Sequence, residues 1–202
     1  MRIRESRVED AAGIAHVHVD SWRTTYRGLL PDAVLDGLSY NQREGLWRRT
    51  LSDPAVDRFV FVAEDDDRET VGFIAGGRER SDDPIYRGSV SMLYLLESHQ
   101  RMGLGRQLMR AAALQLAECD IHSLRVWVRE GNSARHFYEA LGGRYIRAKR
   151  LDLAGMLPDI REHVIVTEFL FGWEDTGPLL RCAPLAEGQG NQPDIYPYVR
   201  RP

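Results

Sequence analysis

The chain has 202 residues, of which 43% are hydrophobic and 28% are charged, and its formal net charge is −3. This composition is typical of a folded protein with one sizeable core, and it excludes a globally disordered chain. The 27 basic and 30 acidic residues form no basic block, so we expect neither a nucleic-acid partner nor a membrane partner.

The cysteines and the N-terminal sequence limit the cellular setting. Cys119 and Cys182 lie far apart, with no CxxC spacing and no neighbouring histidine cluster. We therefore expect neither a disulfide framework nor a metal site. The sequence MRIRESRVED carries charge from its second residue, and no apolar run approaches membrane-spanning length. These features predict a cytoplasmic protein without a signal peptide or an anchor.

The first half of the chain predicts a strand, two helices and a β-hairpin. The strand and the hairpin show alternating or continuous apolar residues, and the helices show apolar residues at three- and four-residue spacing. The predicted strand covers residues 2–6, and the hairpin strands cover residues 58–65 and 70–79. The helices cover residues 11–22 and 33–51, the second with a break near Gly37 and Ser39.

The second half alternates strands and helices and ends in a different composition. We predict strands at 88–96, 123–128, 144–151 and 163–171, and helices at 104–119 and 132–141. This order predicts an α/β (α+β) fold in which a mixed sheet carries helices on both faces. Five of the nine prolines fall in residues 174–202. We expect one domain over residues 1–173 and an irregular tail, dispensable for the chemistry, over residues 174–202.

Two glycines, Gly103 and Gly105, follow the strand VSMLYLL and precede a helix. Such a turn exposes backbone N–H groups to an anion at the positive end of the helix. A P-loop requires GxxxxGK[ST], which is absent, and a dinucleotide fingerprint would require glycine where Leu108 stands. Neither of these phosphate-binding motifs fits.

A third motif does fit. The hexapeptide QRMGLG, residues 100–105, matches the Q/R-x-x-G-x-G/A motif of the GCN5-related N-acetyltransferase (GNAT) superfamily. The blocks VSMLYLLESHQRMGLGRQLM and VWVREGNSARHFYEALGG also resemble that family, as does the opening AHVHVDSWRTTYRGLLPDAVLDGLS. The resemblance covers residues 1–173. It implies a mostly antiparallel central sheet of about seven strands, an N-acetyltransferase activity with acetyl-CoA as cosubstrate, and no metal.

The resemblance also implies a site for acetyl-CoA. In the family the glycine loop holds the pyrophosphate. The fourth and fifth strands splay apart, and the pantetheine fills the gap and pairs with the backbone of the fourth strand. Asn132 would contact the cofactor, although asparagine there equally suits a helix cap. The implied cofactor-binding residues are Leu93, Tyr94, Leu95, Gln100, Arg101, Met102, Gly103, Leu104, Gly105, Arg106 and Asn132.

The catalytic groups are only partly implied. Tyr138 matches the family tyrosine that protonates the departing thiolate, while a tyrosine on such a helix otherwise serves packing. Ser89 stands where many relatives carry a glutamate base. Glu97 is expected to face solvent. His18 is a candidate base, but a lone histidine on an apolar face is more often a core residue, so the base stays unassigned.

The acceptor is the least defined part. Trp22 and Tyr26 lie one turn apart and would either line an acceptor pocket or anchor their helix on the sheet. A small amine, a polyamine, an amino acid, an antibiotic and a protein N-terminus all stay open as acceptors, and many relatives are homodimers. No cysteine lies near the motif, which favours direct attack by the amine in a ternary complex. The alternative is an acyl-CoA-binding sensor or an inactive GNAT-fold protein.

Overall fold

The computed structural model describes residues 1–53, 57–81, 83–154 and 163–181. The strands of its sheet are β1 (Arg2–Glu5), β2 (Arg58–Glu64), β3 (Thr70–Arg78), β4 (Gly88–Leu95), β5 (Leu124–Arg129), β6 (Arg144–Asp152) and β7 (Ile165–Trp173). The seven strands lie in the order β1–β2–β3–β4–β5–β7–β6. Neighbouring strands are antiparallel except for β4 and β5. The predicted mixed sheet, mostly antiparallel, is confirmed.

Helices cover both faces of this sheet, as predicted. They are α1 (Ala11–Thr25), α2 (Asp32–Asp36), α3 (Tyr40–Ser52), α4 (Leu104–Glu118), α5 (Ala134–Ala140) and α6 (Gly177–Leu180). Helices α1 and α3 bury Ile14 and Trp47 against Phe73 of β3 on one face. On the other face, α4 buries Leu108 and Met109 against the sheet. In the described part of the chain, no helix is long and apolar enough to cross a membrane.

The second predicted helical stretch is divided into α2 and α3. Gly37 ends α2, and Ser39 caps α3 by accepting a hydrogen bond from the Gln42 backbone N–H at 3.3 Å. Serine is a favoured cap because its hydroxyl satisfies an N–H group that has no partner within the helix. The break turns the chain so that α3 packs beside α1 over β3.

The parallel strands β4 and β5 pair over only part of their length. Their paired positions end at Val90 and Val126, although β4 continues to Leu95 and β5 to Arg129. Just beyond this point β4 bulges against β3, where the partners change from Gly76–Val90 to Ala75–Met92 and Ser91 is the extra residue. A bulge increases local twist and bends its strand. The two strands therefore separate beyond Val90 and leave a gap in the sheet.

The chain beyond Trp173 differs in part from the expected irregular tail. Helix α6 forms there because Pro178 at its start is compatible with a first helical turn. Thr176 donates its backbone N–H to His122 O at 2.8 Å, and Leu179 is 1% exposed within the core formed with α4. Proline composition alone did not reveal this buried leucine. The rest of the predicted tail, residues 182–202, lies outside the described residues.

Candidate active site

The gap between β4 and β5 is the first component of the site. On its outer side β4 pairs with β3, so that Leu93 lies opposite Ile74 and Leu95 opposite Gly72. Among the described residues no strand pairs with β4 on the other side beyond Val90. The side chains of Leu93 and Leu95 pack on the α4 core. A residue of β4 can therefore contribute its side chain to the core while its backbone faces the gap.

The glycine loop closes one end of this gap. Gly103 has a φ of +82° and precedes α4, and Arg101 also has a positive φ of 62°. Gln107 donates its backbone N–H to Gly103 O at 3.1 Å. The N–H groups before it in a helix have no helical acceptor and attract an anion. The loop therefore has the backbone form of an anion site, as the sequence predicts.

Side chains hold the loop against the end of β4. Leu95 O accepts hydrogen bonds from Ser21 Oγ and from Gln100 Nε2, each at 3.2 Å. Leu104 is buried in the α4 core, whereas Met102 is 43% exposed. The junction of strand, loop and helix is thus fixed by α1 as well as by the loop itself. A direct contact of Gln100, Met102 or Arg106 with a cofactor stays a prediction.

Tyr138 lies on α5, and it is buried. Its ring packs against Phe137, Phe171 and Trp173. Burial raises the pKa of Tyr138 well above its ordinary value, and the nearby Tyr26 hydroxyl raises it further. The phenol therefore stays protonated at neutral pH and can act as a proton donor.

Asn132 stands where β5 leads into α5. Its Oδ1 accepts a hydrogen bond from the Ala134 backbone N–H at 2.8 Å. This is the capping role that the sequence left open for asparagine. The bond fixes the start of the helix that carries Tyr138. The contact of Asn132 with a cofactor stays a prediction.

Trp22 and Tyr26 anchor α1 on the sheet. Trp22 donates its Nε1 hydrogen to the Tyr94 hydroxyl at 2.9 Å, and the Tyr26 and Tyr94 hydroxyl oxygens are 3.5 Å apart. Burial raises the pKa of Tyr94 well above its ordinary value. The Trp22 indole and the hydroxyl groups of Tyr26 and Tyr94 form one connected cluster on the α1 side of β4. Whether Trp22 and Tyr26 also contact an acceptor stays a prediction.

Arg129, at the end of β5, was not singled out from the sequence. Its Cζ lies 4.6 Å from the centre of the Trp22 ring and 4.5 Å from the centre of the Tyr26 ring. Its cross-strand neighbour on β7 is Glu168, whose Oε1 is 3.9 Å from Arg129 Nε. The pairing of β5 with β7 creates this neighbourhood, and no local sequence pattern indicates it.

His18 belongs to the core, the more frequent role for such a histidine. It is 4% exposed, and its Nδ1 accepts a hydrogen bond from Trp47 Nε1 at 3.3 Å. Burial, followed by the positive charges of Arg43 and Arg129, lowers the pKa of His18 to about 3. Since so weak a base takes almost no proton from an ammonium group, His18 does not suit the role of catalytic base.

The other candidate groups for proton removal are also poorly placed or unsuitable. Ser89 lies in the paired part of β4, opposite Gly77 on one side and Arg125 on the other. Glu97 lies in the short 3₁₀ turn Glu97–His99 after β4 and is exposed, as expected. In the ranges that the structure describes, no group of three or more His, Cys, Asp or Glu residues is arranged to hold a metal ion.

Comparisons with known proteins agree with this geometry. Residues 57–142, which include the glycine loop and Tyr138, match the family described as "Acetyltransferase (GNAT) domain". A protein of Bacillus subtilis (strain 168) named "Uncharacterized N-acetyltransferase YuaI" is 36% identical over 178 residues, which are 88% of this chain and 95% of that protein. This chain belongs to the GNAT family. It is therefore an acyltransferase by family, as the sequence motifs predicted.

Solved GNAT structures share the fold. One is the PaiA N-acetyltransferase of Thermoplasma acidophilum in complex with coenzyme A, with a TM-score of 0.59, 20% identity and coverage of 85% of this chain and 96% of that one. Another is YncA, a putative acetyltransferase of Salmonella typhimurium with its cofactor acetyl-CoA, with a TM-score of 0.57, 18% identity and coverage of 94% and 99%. At these identities the likeness establishes the GNAT fold alone.

Proposed function

We propose that this GNAT protein transfers the acetyl group of acetyl-CoA to a primary amine, and that the amine attacks directly while both substrates are bound. The observation that carries the proposal is the separation of β4 from β5 beyond Val90 and Val126, next to the glycine loop. A gap with unpaired strand backbone beside an anion site suits a ligand that combines amide groups with a pyrophosphate. The neighbours solved with coenzyme A or acetyl-CoA support this assignment.

The residues present fit such a ligand. A Cβ at Gly105 would lie 3.2 Å from Phe137 Cζ, so a side chain there would require the Phe137 ring to shift by a few tenths of an ångström. The backbone of Leu93 to Leu95 would pair with the amides of the ligand, and the N–H groups of residues 101–106 would hold its phosphates. Bound acetyl-CoA supplies a thioester, whose carbonyl carbon is the centre that an amine attacks.

Two residues of the chain would act on the reacting groups. A backbone N–H near Leu95 would donate to the thioester oxygen, where negative charge develops during attack. Tyr138 would donate its proton to the departing sulfur. The raised pKa of Tyr138 keeps that proton in place at neutral pH. Burial also keeps the phenol oriented, because its ring is packed among other aromatic rings.

The amine must lose protons by another route. Serine at position 89 has no carboxylate, and His18 has a pKa of about 3. We propose that the amine arrives neutral or loses its proton to ordered water. Direct attack is favoured over a covalent acyl-enzyme because the one cysteine in the described residues, Cys119, is exposed and follows the far end of α4, remote from the glycine loop.

The test is turnover together with binding. The purified protein is titrated with CoA by calorimetry, and thiol release from acetyl-CoA is then measured over a panel of amines, with mass spectrometry of the products. CoA binding with acetylated amine as product supports the proposal. CoA binding without thiol release above the uncatalysed rate on any amine would favour the acyl-CoA sensor instead. Absence of CoA binding would contradict both functions.

A further inference from the structure

The Arg129 side chain is packed between two aromatic rings, but two of its nitrogen atoms lack hydrogen-bond partners among the described residues. Its side chain is 12% exposed, and its guanidinium carbon lies within 4.6 Å of the ring centres of both Trp22 and Tyr26. Its Nε and Nη1 atoms are buried and have no hydrogen-bond partner among the described residues. Buried donors in native proteins are nearly always bonded, so an unbonded buried pair calls for an explanation.

The nearby carboxylate of Glu168 does not supply the missing bonds. Its Oε1 lies 3.9 Å from Arg129 Nε, which is beyond hydrogen-bonding distance. Its other oxygen, Oε2, lies 3.4 Å from Lys149 Nζ. One carboxylate is therefore shared by two cations. A buried ion pair repays its desolvation only when hydrogen bonds complete it, and here they do not.

A second arginine, Arg43, also lies near Trp22. The charges of Arg43 and Arg129 both act on His18 and help to lower its pKa. Arg43 Cζ lies 5.8 Å from the centre of the Trp22 ring. A second cation, such as the free ammonium of a polyamine, would be repelled here. An oxyanion would be attracted, and a planar guanidinium can bind it with two parallel bonds.

The position of Arg129 in β5 connects it with the proposed site. Arg129 lies in the part of β5 that continues beyond Val126, the last residue paired with β4, and its guanidinium contacts the Tyr26 ring. An anion on Arg129 would therefore lie next to the gap that is proposed to hold the cofactor. This arrangement suits an acceptor in which few bonds separate its anion from its amine.

Building on the proposed function, we propose that the acceptor carries an oxyanion beside its primary amine, and that Arg129 binds this oxyanion. The substrate class is then a free amino acid or a similar small amino acid analogue. Polyamines and the N-termini of protein chains lack such an anion and are disfavoured. Arg129 acts on specificity, and Trp22 and Tyr26 are positioning residues that hold its guanidinium.

The first test uses matched acceptors. The standard L-amino acids are compared with their amides and with aminoalkyl phosphonates, which distinguish a carboxylate site from a general oxyanion site. The amide has the lower amine pKa, so kcat/KM is compared per neutral amine. We expect this value to be about 10- to 100-fold higher for the anion of each pair, because a charge-assisted pair of bonds is lost in the amide. Equal or better turnover of amides or of putrescine would overturn the inference and leave the acetyltransferase proposal standing.

The second test uses variants of Arg129. In Arg129→Gln the ratio of kcat/KM for the anionic acceptor to that for its amide should fall to about 1, because the group that binds the anion is removed. Arg129→Lys should keep only part of the preference for the anionic acceptor, since a lysine ammonium lacks the planar, two-pronged guanidinium. The matched control is Arg150→Gln, which alters an exposed arginine of β6. A uniform loss on both acceptors in Arg129→Gln would show a structural role instead.

A third measurement does not depend on turnover. N-acetyl amino acids and their amides are titrated into the protein saturated with CoA, with Arg129→Gln in parallel. The acids should bind to the original protein, and binding should weaken about 10- to 100-fold in the variant. Equal affinity of acid and amide would overturn the inference even if no acceptor were turned over. Loss of CoA binding itself would instead count against the proposed function.

Discussion

A Cβ placed on Gly105 would lie 3.2 Å from Cζ of Phe137, so the first turn of α4 and the helix α5 meet across the glycine loop. Phe137 precedes Tyr138, and the two rings lie 5.2 Å apart in an edge-on contact. The anion site and the proposed proton donor are therefore carried by elements in direct contact. A change at Gly105 acts both on the approach of a ligand and on this contact.

Gly105→Glu should abolish CoA binding while the protein stays folded. The new carboxylate would repel the pyrophosphate, and its stem would occupy the approach to the backbone. Calorimetric titration with CoA measures the loss, and circular dichroism checks the fold. The matched control is Gly45→Glu on α3, where a Cβ meets only the end of Arg49, at 3.7 Å. Unchanged CoA affinity in Gly105→Glu would contradict the proposal that the glycine loop holds the pyrophosphate.

Tyr138→Phe should slow turnover by about 10²–10⁴-fold, the usual contribution of a general acid. Acetyl-CoA affinity should hardly change, because the hydroxyl acts on a thiolate that forms only as the thioester breaks. Single-turnover rates and calorimetry separate the two quantities. Tyr145→Phe, on an exposed tyrosine of β6, is the matched control. If the single-turnover rate of Tyr138→Phe equalled that of the original protein, the role of Tyr138 would be packing alone.

Leu179→Ala should lower the free energy of unfolding by about 2–5 kcal/mol, the range for removing a buried leucine side chain. The reason is that Leu179 is 1% exposed within the core shared with α4. Leu114→Ala, on the exposed side of α4, should change it by no more than about 0.5 kcal/mol. Urea unfolding measures both. Equal effects would show that α6 adds little to the core.

This result also bears on where the chain can be shortened. Truncation after Trp173 removes Leu179, together with the Leu180 carbonyl that accepts a hydrogen bond from Arg110 Nε at 3.3 Å. We therefore expect that truncation to destabilise the protein, whereas truncation after Arg181 should leave CoA binding intact, as the sequence composition of the remaining tail suggests. If the protein truncated after Arg181 no longer bound CoA, residues 182–202 would have a role in the fold.

Much of the fold could be predicted because its signals are local. Apolar periodicity indicates the helices and strands, and the QRMGLG motif indicates the turn before α4. The separation of β4 from β5 was implied only by the family resemblance, since no residue pattern states where a parallel pair ends. The bulge at Ser91 belongs to the same class, because it depends on the register of two strands.

The site was less predictable where it depends on distant pairing. Arg129 meets Trp22 and Tyr26 only because the folded chain brings the end of β5 close to the C-terminal end of α1. The role of His18 likewise depends on burial by α3, which brings Trp47 to its Nδ1. Leu179 was missed because the surrounding prolines and glycines dominate the composition of that segment. Each of these contacts joins residues that are far apart in the sequence.

The low pKa of His18 predicts a pH dependence of stability. In the unfolded chain the pKa of histidine is about 6.5, whereas in the fold the pKa of His18 is lowered to about 3. Between these values the unfolded chain binds a proton that the folded protein does not. The stability associated with neutral His18 is therefore fully present above about pH 6.5 and is lost as the pH falls, by up to about 1.4 kcal/mol per pH unit.

His18→Gln keeps a hydrogen-bond acceptor for Trp47 and removes this titration. The difference in unfolding free energy between the original protein and the variant should therefore shrink as the pH falls from 7 to 5. Carboxylates common to both proteins cancel in that difference. Denaturant unfolding at several pH values supplies the data. Parallel stability curves would show that His18 titrates normally in the folded state.

The last prediction concerns the pH dependence of catalysis. With Ser89 in place of a carboxylate, the amine must be neutral before it attacks or must lose its proton to water. An alkyl amine has a pKa near ~10.4, so its kcat/KM should rise about tenfold per pH unit towards that value. An α-amino group with a pKa of about 7.7–8.0, as in a peptide, would level off earlier. The two profiles should therefore differ by the difference between the amine pKa values.

The measurement is kcat/KM against pH for two amines of different pKa, with acetyl-CoA saturating. A plateau that begins near pH 6–7 for both amines would reveal a base on the enzyme and would contradict our interpretation of Ser89. Such a base would not be His18 in its present environment, because its pKa is about 3. The variant Ser89→Glu tests the opposite change, in which a carboxylate is introduced at position 89. If position 89 is the one that matters, a carboxylate there should shift the rise of the profile to lower pH, and an unchanged profile would place proton removal elsewhere.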